Sequence, residues 1–151
     1  DVMSAVQPGG LGGTYAGNPL SVAAANAVLD VIAEEHLCER ATEMGKRITE
    51  RLHELSRRQG FECIGEVREL GAMVAMELVK DRTSRAPNPA LADALLAEAQ
   101  KRGLVLLSCG AHHNVIRILA PLTTPMAQID EGLGILADAL EASISSLQAA
   151  A

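Results

Sequence analysis

Three times in 151 residues a side chain able to cap a helix stands directly before a proline: Asn18-Pro19, Asn88-Pro89 and Thr124-Pro125. Each pair is a helix-start signal with two causes. The side-chain oxygen accepts a free N–H of the first turn, and proline occupies a helical position where a missing donor costs nothing. The signals fix where helices begin and divide the chain into segments whose periodicity can be read one at a time.

From Pro19 to about Glu35, the run LSVAAANAVLDVIAEE is apolar on nearly every side except at Asn26 and Asp30. That pattern predicts a helix buried along most of its length. From Leu37 to about Gln59, Ala41, Met44, Ile48, Leu52 and Leu55 recur at spacings of three and four among Glu, Arg and Lys. This is one apolar stripe on an otherwise wet helix, with Gly60 as its left-handed stop. From Phe61 to Val79 the period falls to two, with Gly65 and Gly71 punctuating a β run that ends in AMVAMEL. After a polar, proline-containing loop from Lys80 to Asn88, a helix is expected from Ala90 to Arg102, closed by Gly103. The short apolar strands LVLLS and VIRIL then flank the polar turn CGAHHN. The last helix, Met126 to about Leu147, aligns Ile129, Leu133, Leu136, Leu140 and Ile144, and the Ala-rich tail is expected to fray. The order helix–helix–strand–strand–helix–strand–strand–helix predicts an α+β fold, a mostly antiparallel sheet covered on one face by helices.

Hydrophobic residues make up 48% of the chain but aromatics only 1%, so the core must be built from aliphatic side chains and Met. The length suits one domain with its own core. A net charge of -6 argues against nucleic acid or an anionic membrane as the main partner. Cys38, Cys63 and Cys109 are odd in number and far apart, which excludes a CxxC metal or redox pair and fits a reducing compartment; a cytoplasmic location is expected. No apolar run approaches the ~18 residues of a membrane helix, and no signal peptide is read at the start. Asp1 in place of Met, with a glycine-rich loop almost at once, leads to the expectation of a segment from within a larger protein.

That loop, GGLGGTYAGNP from Gly9 to Pro19, sets five glycines around Thr14 and Tyr15. Two readings stand: a flexible linker, or a phosphate cradle in which bare N–H groups and a helix start favour an anion. No Gly-Lys-Ser/Thr follows and no strand precedes, so neither nucleotide-binding version applies. Thr14 beside Gly12-Gly13 is placed to donate to a phosphate oxygen.

In VIRIL, Arg117 shares a strand face with Val115 and Leu119 while Ile116 and Ile118 point the other way, so neither face is polar. A dry guanidinium needs an acid or a phosphate, and its planar fork suits a carboxylate. Three readings are open: an internal ion pair with Glu77 or another acid, an edge strand with Arg117 in water, or a ligand-binding arginine. His112 and His113 are adjacent, would face opposite ways on a strand, and read as a solvated turn rather than metal ligands. Cys109 beside Gly110 reads as small-residue packing, with no base at a recognisable spacing.

The segments GGLGGTYAGNPLSVAAA, GEVRELGAMVAMEL, GLVLLSCG and NVIRILAPLT resemble, in order and from Gly9 to about Leu147, the C-terminal part of the class III pyridoxal-phosphate aminotransferases. LLSCG followed by NVIRILAPLT favours the 4-aminobutyrate branch over the ornithine and acetylornithine branches. The resemblance implies the small C-terminal domain of a fold-type I aminotransferase. Residues 1–18 would be a glycine loop of the large domain and dimer interface, 19–36 an interdomain helix, and 37–151 the small domain. It implies that Gly12, Gly13 and Thr14 hold the phosphate of pyridoxal 5'-phosphate across a homodimer interface. Arg117 would bind a substrate carboxylate, notably in the glutamate and 2-oxoglutarate half-reaction. The family's Schiff-base lysine has no match in Lys46, Lys80 or Lys101, so the chain alone is expected to be inert. The alternatives are a non-enzymatic folding or association module, or a class III enzyme with an ornithine-like or diamine donor.

Overall fold

A computed structural model of the chain describes residues 2–149. They group into two units, Asp1–Leu37 and Cys38–Ala151.

In the first unit the capping signal works as read. Asn18 precedes helix α1 (Pro19–Glu34), and its Oδ1 accepts from the N–H groups of Leu20 at 3.0 Å and Ser21 at 3.2 Å. The loop before it closes on itself in turns: the N–H of Ala16 donates to the carbonyl of Gly13 at 2.9 Å, and that of Asn18 to Tyr15 at 3.1 Å. The expectation that α1 is buried along most of its length is overturned. No α1 residue is buried, and Leu20, Val28 and Leu29 are exposed. The unit consists of a loop and one long helix, and a single helix that is apolar all round has nothing within its own unit large enough to cover it.

The second unit runs α2 (Leu37–Ser56), β1 (Ile64–Leu70), β2 (Met73–Leu78), α3 (Pro89–Lys101), β3 (Leu107–Cys109), β4 (Val115–Ile118) and α4 (Met126–Ala149). The strands form one sheet in the order β1-β2-β4-β3, antiparallel at every step. Val74, Met76 and Leu78 of β2 are buried, and the register sets Val74 opposite Ile118 and Met76 opposite Ile116. This inner face packs against Met44, Ile48 and Leu52 of α2, Leu95 of α3 and Leu136 and Leu140 of α4. The predicted α+β fold, helices over one face of an antiparallel sheet, is the one observed.

Asn88 caps α3 through Leu91 N–H at 3.2 Å, and Gly103 beyond its end is left-handed at φ 84°. Two details differ from expectation. Gly60, at φ 89°, lies four residues beyond the last of α2 and serves a separate turn, because the helix stops at Ser56. Thr124 makes no side-chain cap among the described residues. α4 starts one residue after Pro125, and the Pro125 carbonyl accepts from Gln128 N–H at 3.0 Å, while the Thr124 carbonyl accepts from Arg40. Of the tail expected to fray, Gln148 and Ala149 instead continue α4, and 150–151 lie outside the described residues.

A β-bulge places two residues of β1, Gly65 and Glu66, against Glu77 of β2: Ile64 pairs with Leu78, but Val67 pairs with Met76. A Cβ on Gly65 would lie 2.8 Å from Val79 Cγ1, so any other residue there would force the buried Val79 side chain to shift.

Candidate functional site

The sheet's outer face is where the unexplained charge lies. Arg68, Ala75, Arg117 and Leu107 stand side by side across the four strands, one from each. The next row along sets Glu77 beside Val115 and Cys109. β4 is an inner strand, so Arg117 is not at the sheet's edge. It is nevertheless exposed, because no helix of this unit covers that face. The dry environment expected for Arg117 is therefore corrected. Its face is polar, and the polarity comes from neighbouring strands rather than from β4.

The acid that could have neutralised Arg117 is engaged elsewhere. Glu77 Oε2 lies 3.8 Å from Arg68 Nη1, and Glu77 Oε1 accepts from Asn114 Nδ2 at 3.3 Å. Asn114, only 2% exposed, also donates to the Leu78 carbonyl at 2.8 Å. Arg117 makes no side-chain hydrogen bond or ion pair among the described residues. Of the three readings, the internal ion pair is absent; β4 is not an edge strand, but Arg117 stands in water as that reading had it.

Beside Arg117 opens a cleft of about 440 Å³, walled by Leu104, Leu106, Leu119 and α4 residues such as Ile129. Thr124 and Gln128 are its other polar side chains, and among the described residues Arg117 is the only charged one lining it. The segment Ala120–Thr124 on one side is held by Arg40, whose Nη2 donates to the Thr124 carbonyl at 2.8 Å and whose Nε donates to Leu122 at 3.4 Å.

In the first unit, Gly12 (φ 154°), Gly13 and Thr14 are exposed. A Cβ added to Gly12 or Gly13 would meet nothing within 4 Å. Their N–H groups and that of Thr14 donate to no group among the described residues, and neither does the Thr14 hydroxyl. Adjacent free donors with a hydroxyl form the donor set that a phosphate requires. Gly12, Gly13 and Thr14 lie together in one unit; Arg117 belongs to the other.

The remaining candidates fall away from both places. His112 and His113 lie exposed in the β3–β4 turn, with His113 left-handed at φ 52°. Lys46 pairs with Glu50 at 3.9 Å and Lys101 with Glu98 at 2.6 Å, while Lys80 is exposed. None of the three lysines lines the cleft. Cys109 is half-buried on β3, and burial pushes the Cys63 thiol up to about 11. Arg68, Asn114 and Arg40 were missed by the sequence reading. The signal for Arg68 was its place in VREL, where an outward strand residue meets a partner only once the register is known.

A family model described as Aminotransferase class-III matches residues 1–140. The 5-aminovalerate aminotransferase DavT of Pseudomonas aeruginosa is 46% identical over 141 residues, 93% of this chain and 33% of that protein. The 4-aminobutyrate aminotransferase GabT of Escherichia coli is 45% identical over 141 residues, again 93% and 33%. A probable 4-aminobutyrate aminotransferase of Bacillus subtilis is 48% identical over 142 residues, 94% and 32%. The chain thus spans about a third of the length of these curated relatives. Among solved structures, a transaminase from the marine bacterium Virgibacillus matches with TM-score 0.80 at 26% identity, over 91% of this chain and 31% of that one. A phospholyase from Arthrobacter in complex with phosphoethanolamine matches with TM-score 0.72 at 34% identity, over 90% and 31%.

Proposed function

The chain belongs to the class III aminotransferases, and from that premise we propose that it is the C-terminal portion of a pyridoxal-phosphate enzyme that transfers the amino group of an ω-amino acid to 2-oxoglutarate. Residues 1–18 would lie with the large domain at a homodimer interface, α1 would join the domains, and 37–151 would form the small domain. The unburied apolar surface of α1 supports this division, since it offers a packing face to a chain three times as long. The enzyme would act in the cytoplasm.

The cofactor, when bound, supplies the electron sink through which an amino group moves between carbon skeletons. This chain's part is to hold anions. The free N–H groups around Gly12 and Gly13 and the Thr14 hydroxyl suit the phosphate, whose charge they would meet with short, charge-assisted hydrogen bonds. Arg117 suits the substrate carboxylate, because its fork matches two oxygens. The observation that carries the reading is Arg117: a guanidinium beside an apolar cleft, with the nearest acid of its own face turned to Arg68.

For the donor, 4-aminobutyrate is the first choice, on the likeness to GabT and to the Bacillus subtilis protein. The equal likeness to DavT favours a second reading, 5-aminovalerate, one methylene longer. Without a competent lysine, the 151-residue chain alone is inert under this proposal. A pyridoxal-phosphate absorbance band that survives dialysis of this polypeptide would contradict that.

Arg117→Ala in the full-length enzyme tests the central assignment. Loss of a charge-assisted, two-point contact is expected to raise the apparent KM for 2-oxoglutarate about 10- to 100-fold. An unchanged KM would remove Arg117 from the site.

A further inference from the structure

We propose that Arg68 and Asn114 are positioning residues for Arg117: together they hold the Glu77 carboxylate away from it and so leave its charge available to a ligand. The inference rests on the reading that Arg117 receives a substrate carboxylate.

The register makes Glu77 a competitor. It stands opposite Val115, two residues from Arg117 on the same face, and Arg117 stands opposite Ala75. Such diagonal neighbours lie roughly 7–8 Å apart at the backbone, within reach of a glutamate and an arginine side chain. Glu77 is equally diagonal to Arg68, which stands opposite Ala75 from the other side. One carboxylate therefore sits between two guanidinium groups on one outward face. In the structure it goes to Arg68, at 3.8 Å, and not to Arg117.

Two features bias that choice. The first is Asn114, buried and fixed by its bond to the Leu78 carbonyl, whose remaining Nδ2 hydrogen points to Glu77 Oε1. The second is the bulge opposite Glu77, which brings Glu66 into the same cluster; Arg68 Nη1 lies 3.4 Å from Glu66 Oε2. Removing the Arg68 charge leaves Glu66 and Glu77 facing each other unneutralised. The repulsion drives Glu77 toward the nearest free cation on its face, which is Arg117. A bound carboxylate would then have to displace an internal one.

The test is calorimetric titration of the full-length enzyme with glutarate, an unreactive five-carbon dicarboxylate. Arg117→Ala serves as the control for the underlying reading, and if it binds glutarate as the wild type does, that reading fails rather than this one. With that control weakened, Arg68→Gln is expected to weaken glutarate binding about three- to tenfold, the effect of one competing unit charge at a partly solvated site. Adding Glu77→Gln to Arg68→Gln is expected to restore affinity to within about twofold. A purely structural role for Arg68 would not give that rescue. Wild-type affinity in Arg68→Gln, or a loss that Glu77→Gln fails to restore, overturns the proposal. Glu77→Gln alone, which needs no change at Arg68, is expected to bind glutarate at least as well as the wild type. Weaker binding there would make Glu77 a helper and equally overturn the proposal.

Discussion

Gly45 of α2 faces Gly71 of the β1–β2 turn so closely that a methyl group on Gly45 would lie 1.9 Å from the Gly71 carbonyl oxygen. The obstacle is backbone rather than the end of a flexible side chain, and Gly71 is itself left-handed at φ 54°. Neither partner can yield without moving an element. Gly45→Ala is therefore expected to cost about 1–3 kcal/mol, a fall of roughly 1–4 °C in the melting temperature of a chain about three times this length. Thermal melting of the full-length enzyme checks this; a variant that melts with the wild type would mean that α2 can lift off the turn freely.

Much of the fold was legible because its signals are local. Asn18 and Asn88 cap the helices they precede, and the stripe Met44, Ile48, Leu52 and Leu55 is the buried face of α2. Thr124 failed as a cap because α4 begins at Met126, so Pro125, whose ring has no acceptor, takes the capping position and Thr124 stands one residue too early. The site was legible in its residues and not in its surroundings. Within VIRIL, Arg117 has only aliphatic neighbours, and its polar companions Arg68 and Glu77 come from strands 40 or more positions earlier in the chain. The bulge at Gly65–Glu66, which a period-two reading passes over, adds Glu66 to that cluster, and a slip of one residue in the register would have sent each side chain to the opposite face.

Thr14 has a hydroxyl and an N–H without partners among the described residues, beside two glycines in the same condition. If they hold the cofactor phosphate, Thr14→Ala is expected to weaken cofactor binding about 10- to 100-fold, the value of one hydrogen bond to a charged group. Thr14→Ser keeps the hydroxyl and stays close to wild type. Absorbance titration of cofactor-free, full-length enzyme measures both, and equal affinity in Thr14→Ala would take the loop out of the phosphate site.

The cysteines should separate by reactivity. Cys38 is exposed, whereas burial raises Cys63 from 9.0 to about 11. A raised thiol pKa keeps the unreactive neutral form. At pH 8 the Cys63 thiolate fraction is about 0.1%, and alkylation follows the thiolate. Iodoacetamide labelling mapped by mass spectrometry is expected to modify Cys38 early and Cys63 last. Labelling of Cys63 at the rate of Cys38 would show that its burial is transient.

Arg47 joins α2 to α4 through both oxygens of Asp130, Nε to Oδ1 at 2.8 Å and Nη2 to Oδ2 at 2.9 Å. The guanidinium holds the Asp130 carboxyl below its ordinary 3.8, first through the hydrogen bonds and then through charge. A carboxylate whose folded pKa is depressed binds its proton more readily when unfolded, so the pair stabilises the fold above pH 3.8 and loses that contribution as pH falls through the lowered folded value. Asp130→Asn should therefore melt below the wild type at pH 7, and the gap should close on acidification below the ordinary carboxylate value. Both groups are largely in water, so the effect is small and molar salt should shrink the gap at pH 7 as well. A gap that persisted unchanged at low pH would assign the loss to packing between α2 and α4 rather than to the charge pair.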